Sequence, residues 1–136
     1  MEFLRSLRIA AGGMRAQAGR MRVVAENIAN ANSTAQVPGG DPYRRKVPTF
    51  RTSFDRELQA TTVELGPVRR APGEFQTRFD PNHPAADARG YVKIPNVNSL
   101  VESMDMREAQ RSYEANLNVV TSTRRMIQRT IELLRV

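Results

Sequence analysis

The first thirty residues carry an apolar repeat that most constrains how this chain can fold. Leu4, Leu7, Ala11, Met14, Ala18, Met21, Ala25 and Ile28 recur in alternating steps of three and four. That spacing is a heptad seam, and it predicts one long helix. One line of the seam is small (Ala11, Ala18, Ala25 after Leu4) and the other large (Leu7, Met14, Met21, Ile28). A partner helix could approach the small edge closely. Gly12, Gly13 and Gly19 lie inside the same segment. Each costs a helix about 1 kcal/mol relative to alanine. A segment of this kind should be mostly unfolded alone in water and should draw its stability from a partner.

The other end of the chain repeats the theme. Pro95 blocks a helix upstream, and Ser99 with Glu102 three residues later forms a capping-box pattern. Apolar positions then run through Met106, Ala109, Tyr113, Leu117, Val120, Ile127, Ile131 and Leu134, interrupted only at Arg124. The spacing predicts a helix over 98–134, supported on its surface by Glu108 with Arg111 and Glu132 with Arg135.

Between these helices the chain changes in kind. All eight prolines and six of the eight aromatic residues fall within residues 33–96. The runs TTVEL, EFQTRF and GYVKI read as short strands separated by GP, APG and DPNHP turns. The predicted organisation is an N-terminal helical segment (1–32), a loop and small β-rich insert (33–96), and a C-terminal helical segment (97–136). The fold class is mainly α: two long terminal helices form an antiparallel, coiled-coil-like pair, with hairpin-type structure in the middle. A two-helix hairpin has little core of its own, which points to an assembly protein rather than a solitary enzyme.

The chemistry on offer is thin. The chain contains no cysteine, which excludes disulfides, thiolate metal sites and cysteine nucleophiles. No phosphate-binding loop, dinucleotide fingerprint or zinc-protease motif occurs. Asp80, His83 and Asp87 are the best metal candidates, but in their proline-rich setting they read as a polar turn, with His83 in solvent. No catalytic, cofactor-binding or metal-binding residue is expected. No apolar run is long enough to span a membrane. The N-terminus lacks the continuous apolar stretch of a cleaved secretory signal.

The formal net charge is +7, with 19 of the 21 basic residues arginine. Such a balance raises a second reading, a basic coiled-coil protein that binds nucleic acid or regulates. The charge is dispersed, however, and the densest cluster is only Arg44-Arg45-Lys46.

The stretch NIANANSTAQVPGGDPYRRK, residues 27–46, ends the first seam with three asparagines in six residues. Asn30 or Asn32 could terminate a helix in left-handed geometry, which accounts for one asparagine and not for three. NIANANS resembles the N-L-A-N-x-x-T/S signature that follows the first helix of bacterial flagellar axial proteins, the rod, hook and hook-associated subunits. Pro42-Tyr43-Arg44, the segment HPAADARGYVKIPNVN at 83–98, and REAQRSYEANLNVV at 107–120 resemble further motifs of the proximal-rod members, in the same order. Ile28 replaces the usual leucine, His83 stands where asparagine is common, and residues 51–80 match least.

The resemblance implies a structural subunit exported unfolded through the flagellar type III apparatus. It implies helical self-assembly into a rod across the periplasm that transmits torque. The implied neighbours are further copies, FlgB, FlgF, FlgG and FliE, with no nucleic acid and no membrane insertion. The terminal helices would form the inner tube, so the expected assembly interface comprises Leu7, Ala11, Met14, Ala18, Met21, Ala25, Ile28, Tyr113, Leu117, Val120, Ile127, Ile131 and Leu134. Asn27 and Asn30, about one helical turn apart, are expected to hydrogen-bond a neighbour's backbone.

Overall fold

The computed structural model describes residues 2–135. Two long helices flank short antiparallel strand pairs, as the periodicity predicts. Helix α1 spans Glu2–Ala29 and helix α2 spans Ser99–Leu134. Between them lie β1 (Lys46–Val47), β2 (Phe50–Asp55), β3 (Ala60–Leu65), β4 (Arg69–Arg70), β5 (Gln76–Phe79) and β6 (Tyr91–Ile94). The strands pair as three separate two-stranded ribbons, β1 with β4, β2 with β3 and β5 with β6. Among the described residues no helix is long and apolar enough to cross a membrane.

The chain divides into two compact units, and each draws on both helices and on the insert. The first comprises residues up to 21, 48–67 and from 107 onward. Here β2 and β3 form a hairpin in the register Phe50↔Leu65 to Asp55↔Ala60. Its turn is set locally: Asp55 Oδ1 accepts the N–H groups of Glu57 at 2.9 Å and Leu58 at 3.2 Å, and Gln59 adopts φ +50°. Leu58 is buried beneath that turn.

The glycines of α1 face this hairpin and α2. A Cβ at Gly12 would stand 3.4 Å from the Val63 carbonyl oxygen, and one at Gly19 would stand 2.7 Å from Leu65 Cδ2. A Cβ at Gly13 would meet the Asn116 side chain at 2.9 Å. The helix-weakening glycines are therefore points of close approach, and the partner they need is partly within the chain. In this unit α1 and α2 run antiparallel, with Gly13 beside Asn116 and Arg20 Nη2 bonded to Glu108 Oε2 at 3.2 Å. Glu108 thus reaches across to α1; the helix-surface pair expected with Arg111 is not its contact.

The face of α1 that is packed differs from the one the seam predicts. Buried positions on α1 are Ala10, Gly12, Ala16, Gly19, Val23, Val24 and Asn27. Helical periodicity puts Gly12, Ala16, Gly19, Val23 and Asn27 on the side opposite the seam. No seam residue is buried: Leu4, Ala18 and Ala25 are exposed, and Leu7, Ala11, Met14, Met21 and Ile28 are half-buried. The reason is size, because the hairpin and α2 pack where small residues let backbone come close, not along the most apolar line. Helix α2 keeps the expected phase more nearly. Ala109 is buried and Met106, Tyr113, Val120 and Ile127 are half-buried, while Leu117, Ile131 and Leu134 are exposed. At the break in the repeat, Thr123 is buried instead of Arg124.

The second unit comprises residues 22–47 and 68–106. In β5–β6, Gln76 pairs with Ile94 and Phe79 with Tyr91. The Phe79 and Tyr91 rings meet edge-on at 5.4 Å between centroids. Val92 is fully buried, and Ala85 lies buried in the preceding turn. Asp87 Oδ1 accepts N–H groups from Arg89 at 2.8 Å and Tyr91 at 3.0 Å. The Tyr91 and Arg89 amides hold that carboxyl below its ordinary pKa. His83 is not free in solvent. It is half-buried, its Nδ1 accepts the Ala85 N–H at 3.0 Å, and its Nε2 lies 3.1 Å from Thr34 Oγ1. Among the described residues no cluster of three His, Cys, Asp or Glu side chains is placed to hold a metal.

Candidate functional site

The asparagine-rich stretch resolves into one polar network in the second unit. Asn27 lies on α1 and is fully buried. An asparagine amide offers two donors and two acceptor positions, and all four are used. Nδ2 donates to the Lys46 carbonyl at 2.8 Å and to Glu102 Oε2 at 3.2 Å. Oδ1 accepts the Tyr43 hydroxyl at 2.7 Å and the Lys46 N–H at 2.9 Å. The side chain thus bonds both backbone groups of Lys46, as a neighbouring strand would, and ties the loop 30–46 to α1.

Glu102, on the first turns of α2, is equally buried. Its Oε1 accepts from Arg45 Nε, and Arg45 also reaches Asp105 at 3.6 Å. The Arg45 backbone N–H donates to Asn96 Oδ1 at 2.7 Å. Burial first, then the carboxylates of Glu26 and Glu102, push the Tyr43 phenol above its ordinary pKa, so it remains a donor to Asn27. A buried carboxylate is tolerable only when paired and hydrogen-bonded, and Glu102 is both.

Three expectations are corrected here. Asn27 has no amide atom left for a neighbour's backbone. Asn30 donates to the Glu26 carbonyl at 2.9 Å and accepts the Ser33 hydroxyl at 3.0 Å, which uses one donor and one acceptor position of a half-buried amide. Neither Asn30 nor Asn32 is left-handed, since Gln59 is the only non-glycine with positive φ among the described residues. At the end of α1 the Glu26 carbonyl accepts both the backbone N–H and the side-chain amide of Asn30. The capping box does not form either. Asn98 caps α2, its Oδ1 accepting the N–H groups of Leu100 at 3.1 Å and Val101 at 3.3 Å. That frees the Glu102 carboxylate for Asn27 and Arg45.

The basic cluster is consumed by the same unit. Arg44 Nη1 donates to the carbonyls of Ala71 at 2.9 Å and Gly73 at 2.8 Å, and its guanidinium lies 4.2 Å from the Phe75 ring centroid. Arg45 serves Glu102, and Lys46 Nζ pairs with Glu26 Oε1. No phosphate track is left at the densest run of positive charge.

The network therefore joins NIAN, PYRRK and PNVN, which are distant in the chain and carry the sequence resemblance. Comparison with known proteins points the same way. Residues 7–35 match the family described as flagella basal body rod protein, and residues 88–133 match flagellar basal body rod FlgEFG protein C-terminal. The flagellar basal-body rod protein FlgC of Agrobacterium fabrum is 48% identical over 128 residues, covering 94% of this chain and 92% of its own length. FlgC of Aquifex aeolicus is 41% identical, with 97% of each chain covered. This chain belongs to the FlgC family of flagellar basal-body rod proteins. FlgC of Borreliella burgdorferi, 32% identical, still covers 98% of this chain and 99% of its own length. Glu26, Asn96, Glu102 and Asp105 are the network members that sequence reasoning missed. The only signal for Glu102 was its place in a capping pattern, which pointed to a local role.

Proposed function

We propose that this chain is a self-assembling structural subunit of the proximal rod, located in the flagellar basal body where the rod spans the periplasm, and that it is not an enzyme. The observation that carries the reading is the unburied heptad seam of α1. A helix that packs its small-residue face within the chain and holds Leu7, Ala11, Met14, Ala18, Met21, Ala25 and Ile28 on the opposite side is built for a second layer of contacts. The exposed Leu117, Ile131 and Leu134 of α2 extend the apolar surface available to neighbours. Asn27 drops out of the interface and becomes the clasp that fixes the end of α1.

Export through the flagellar type III apparatus fits a chain with three glycines in its first helix and no cysteine cross-links. Such a chain can pass unfolded, and the ordering entropy is offset when neighbours cover the seam. Heterologous contacts that do not close generate a helical rod, able to carry torque. FlgB, FlgF, FlgG, FliE and further copies are the neighbours this reading names. The test is Ala18→Glu in cells. Expression should persist while rod assembly and motility are lost; normal motility would show that the seam is not an interface.

A further inference from the structure

We propose that, among the neighbours named above, the α1 seam is shaped for an acid-flanked apolar helix of a different protein, which leaves contacts between copies of this chain to other surfaces. The inference rests on the seam being an assembly face. Arg8, Arg15 and Arg22 recur every seven residues and run beside the alanine line Ala11, Ala18, Ala25. Arg15 and Arg22 are exposed and have no acidic partner among the described residues; Arg8 has only the exposed Glu57 at 3.5 Å. Flanking charges of this kind choose the partner of a heptad seam, and the alanines let that partner approach closely enough for them to act.

A second copy offers the wrong charge. The exposed apolar residues Val119, Met126 and Leu133 form a stripe on α2. Arg129 stands three residues after Met126 and four before Leu133, and Arg111 stands four before Ala115, so arginines flank this stripe too. The exposed Glu114 stands three residues before Leu117, on the side of the exposed Leu117 and Ile131, but that line carries the exposed Arg124 at its centre. An antiparallel copy of α1 would set arginine against arginine. A parallel copy would present the edge containing Ala10 and Val24, which are buried within their own chain.

The test uses the full chain and two designed helical peptides with the same Leu/Ala seam, one flanked by Glu and one by Lys. Fluorescence anisotropy at low salt should show the Glu-flanked peptide binding on the order of tenfold tighter, with the preference shrinking as salt rises. The double variant Arg15→Glu/Arg22→Glu should reverse the preference. Equal binding of the two peptides, a preference for Lys, or sedimentation showing that the chain self-associates through the seam overturns the inference. Ala18→Trp separates the two levels of failure. Binding that Ala18→Trp abolishes but charge does not sort sinks the acidic partner alone. Binding that ignores Ala18→Trp, or no binding of either peptide, sinks the seam reading as well.

Discussion

Asn27 Nδ2 donates to Glu102 Oε2 at 3.2 Å, and neither side chain exposes any surface to solvent. The contact links residues 75 positions apart in the chain. It makes the end of α1 and the start of α2 parts of one polar cluster, with the loop 30–46 held against both through Tyr43, Arg45 and Lys46. Removing either member strands the others. Glu102→Ala leaves the second Asn27 donor without a partner and Arg45 with only Asp105. The expected loss is about 3 kcal/mol, at the low end for a broken buried pair because Arg45 keeps some solvent. Urea unfolding followed by circular dichroism checks this; a change below 1 kcal/mol, on the scale of an exposed contact, would contradict the buried role.

Asn27→Asp gives the sharper result. It replaces the donor with an oxygen facing the Lys46 carbonyl and the Glu102 carboxylate, so unpaired lone pairs and like charge meet in a buried site. The pKa of the new carboxyl in the folded state is raised above its unfolded value. The folded variant therefore binds a proton more readily, and its stability falls as pH rises. Asn27→Asp should regain stability when the pH is lowered from 7 towards 5, while the parent chain changes little over that window. Equal slopes of stability against pH for the two chains would refute the arrangement.

Asp87 supplies a pH dependence in the parent chain itself. Its folded pKa is depressed by the Tyr91 and Arg89 amides. Its contribution is thus present above the unfolded value of about 4 and is lost as pH falls through the lower folded value. The amide resonances of Arg89 and Tyr91 should titrate together with a midpoint below about 4, and Asp87→Asn should remove that transition.

The outline of the fold was legible because long seams and turn-rich inserts are local signals. Helix bounds at Ala29 and Ser99 fall close to those read from spacing, and the β-like runs become ribbons. What was not legible was which side of α1 packs inward. Periodicity weighs apolar side chains, whereas Gly12 and Gly19 matter for how little they place between helix and hairpin. The clasp was hidden for a related reason. Glu102 fits a local capping pattern, and only the approach of Asn27 and Arg45 from distant segments gives its carboxylate a different use.

Two glycines separate close approach from backbone demand. Gly90 has φ +85°, and a Cβ there would stand 3.0 Å from Phe79 Cε2 and 3.2 Å from Pro81 Cβ. Gly90→Ala should cost roughly 2 kcal/mol from strain and crowding combined. At Gly19 the close atom is the flexible end of Leu65, with the next atoms in ordinary contact. A gain of about 1 kcal/mol in helix propensity then opposes the cost of moving Leu65, and Gly19→Ala should lie within about 1 kcal/mol of the parent. Thermal unfolding of both variants decides it: a larger loss at Gly19 than at Gly90 would mean that Leu65 cannot yield.

The +7 charge leaves one further prediction, on nucleic acid. Affinity for a phosphate backbone scales with the cations free to replace counterions, and log K falls with log salt by roughly 0.9 per phosphate contact in duplex DNA. Arg44, Arg45 and Lys46 are committed to carbonyls, an aromatic ring and carboxylates within the chain. What remains is exposed arginine dispersed along the two helices and the insert, where Arg69-Arg70 is the densest pair. Duplex DNA should therefore bind weakly, with a slope corresponding to few contacts and no preference among sequences. Replacing Arg44 should lower stability without weakening that residual binding. Tight binding with a steep salt slope, lost on changing Arg44, would instead restore the cluster as a phosphate site and leave the rod reading incomplete.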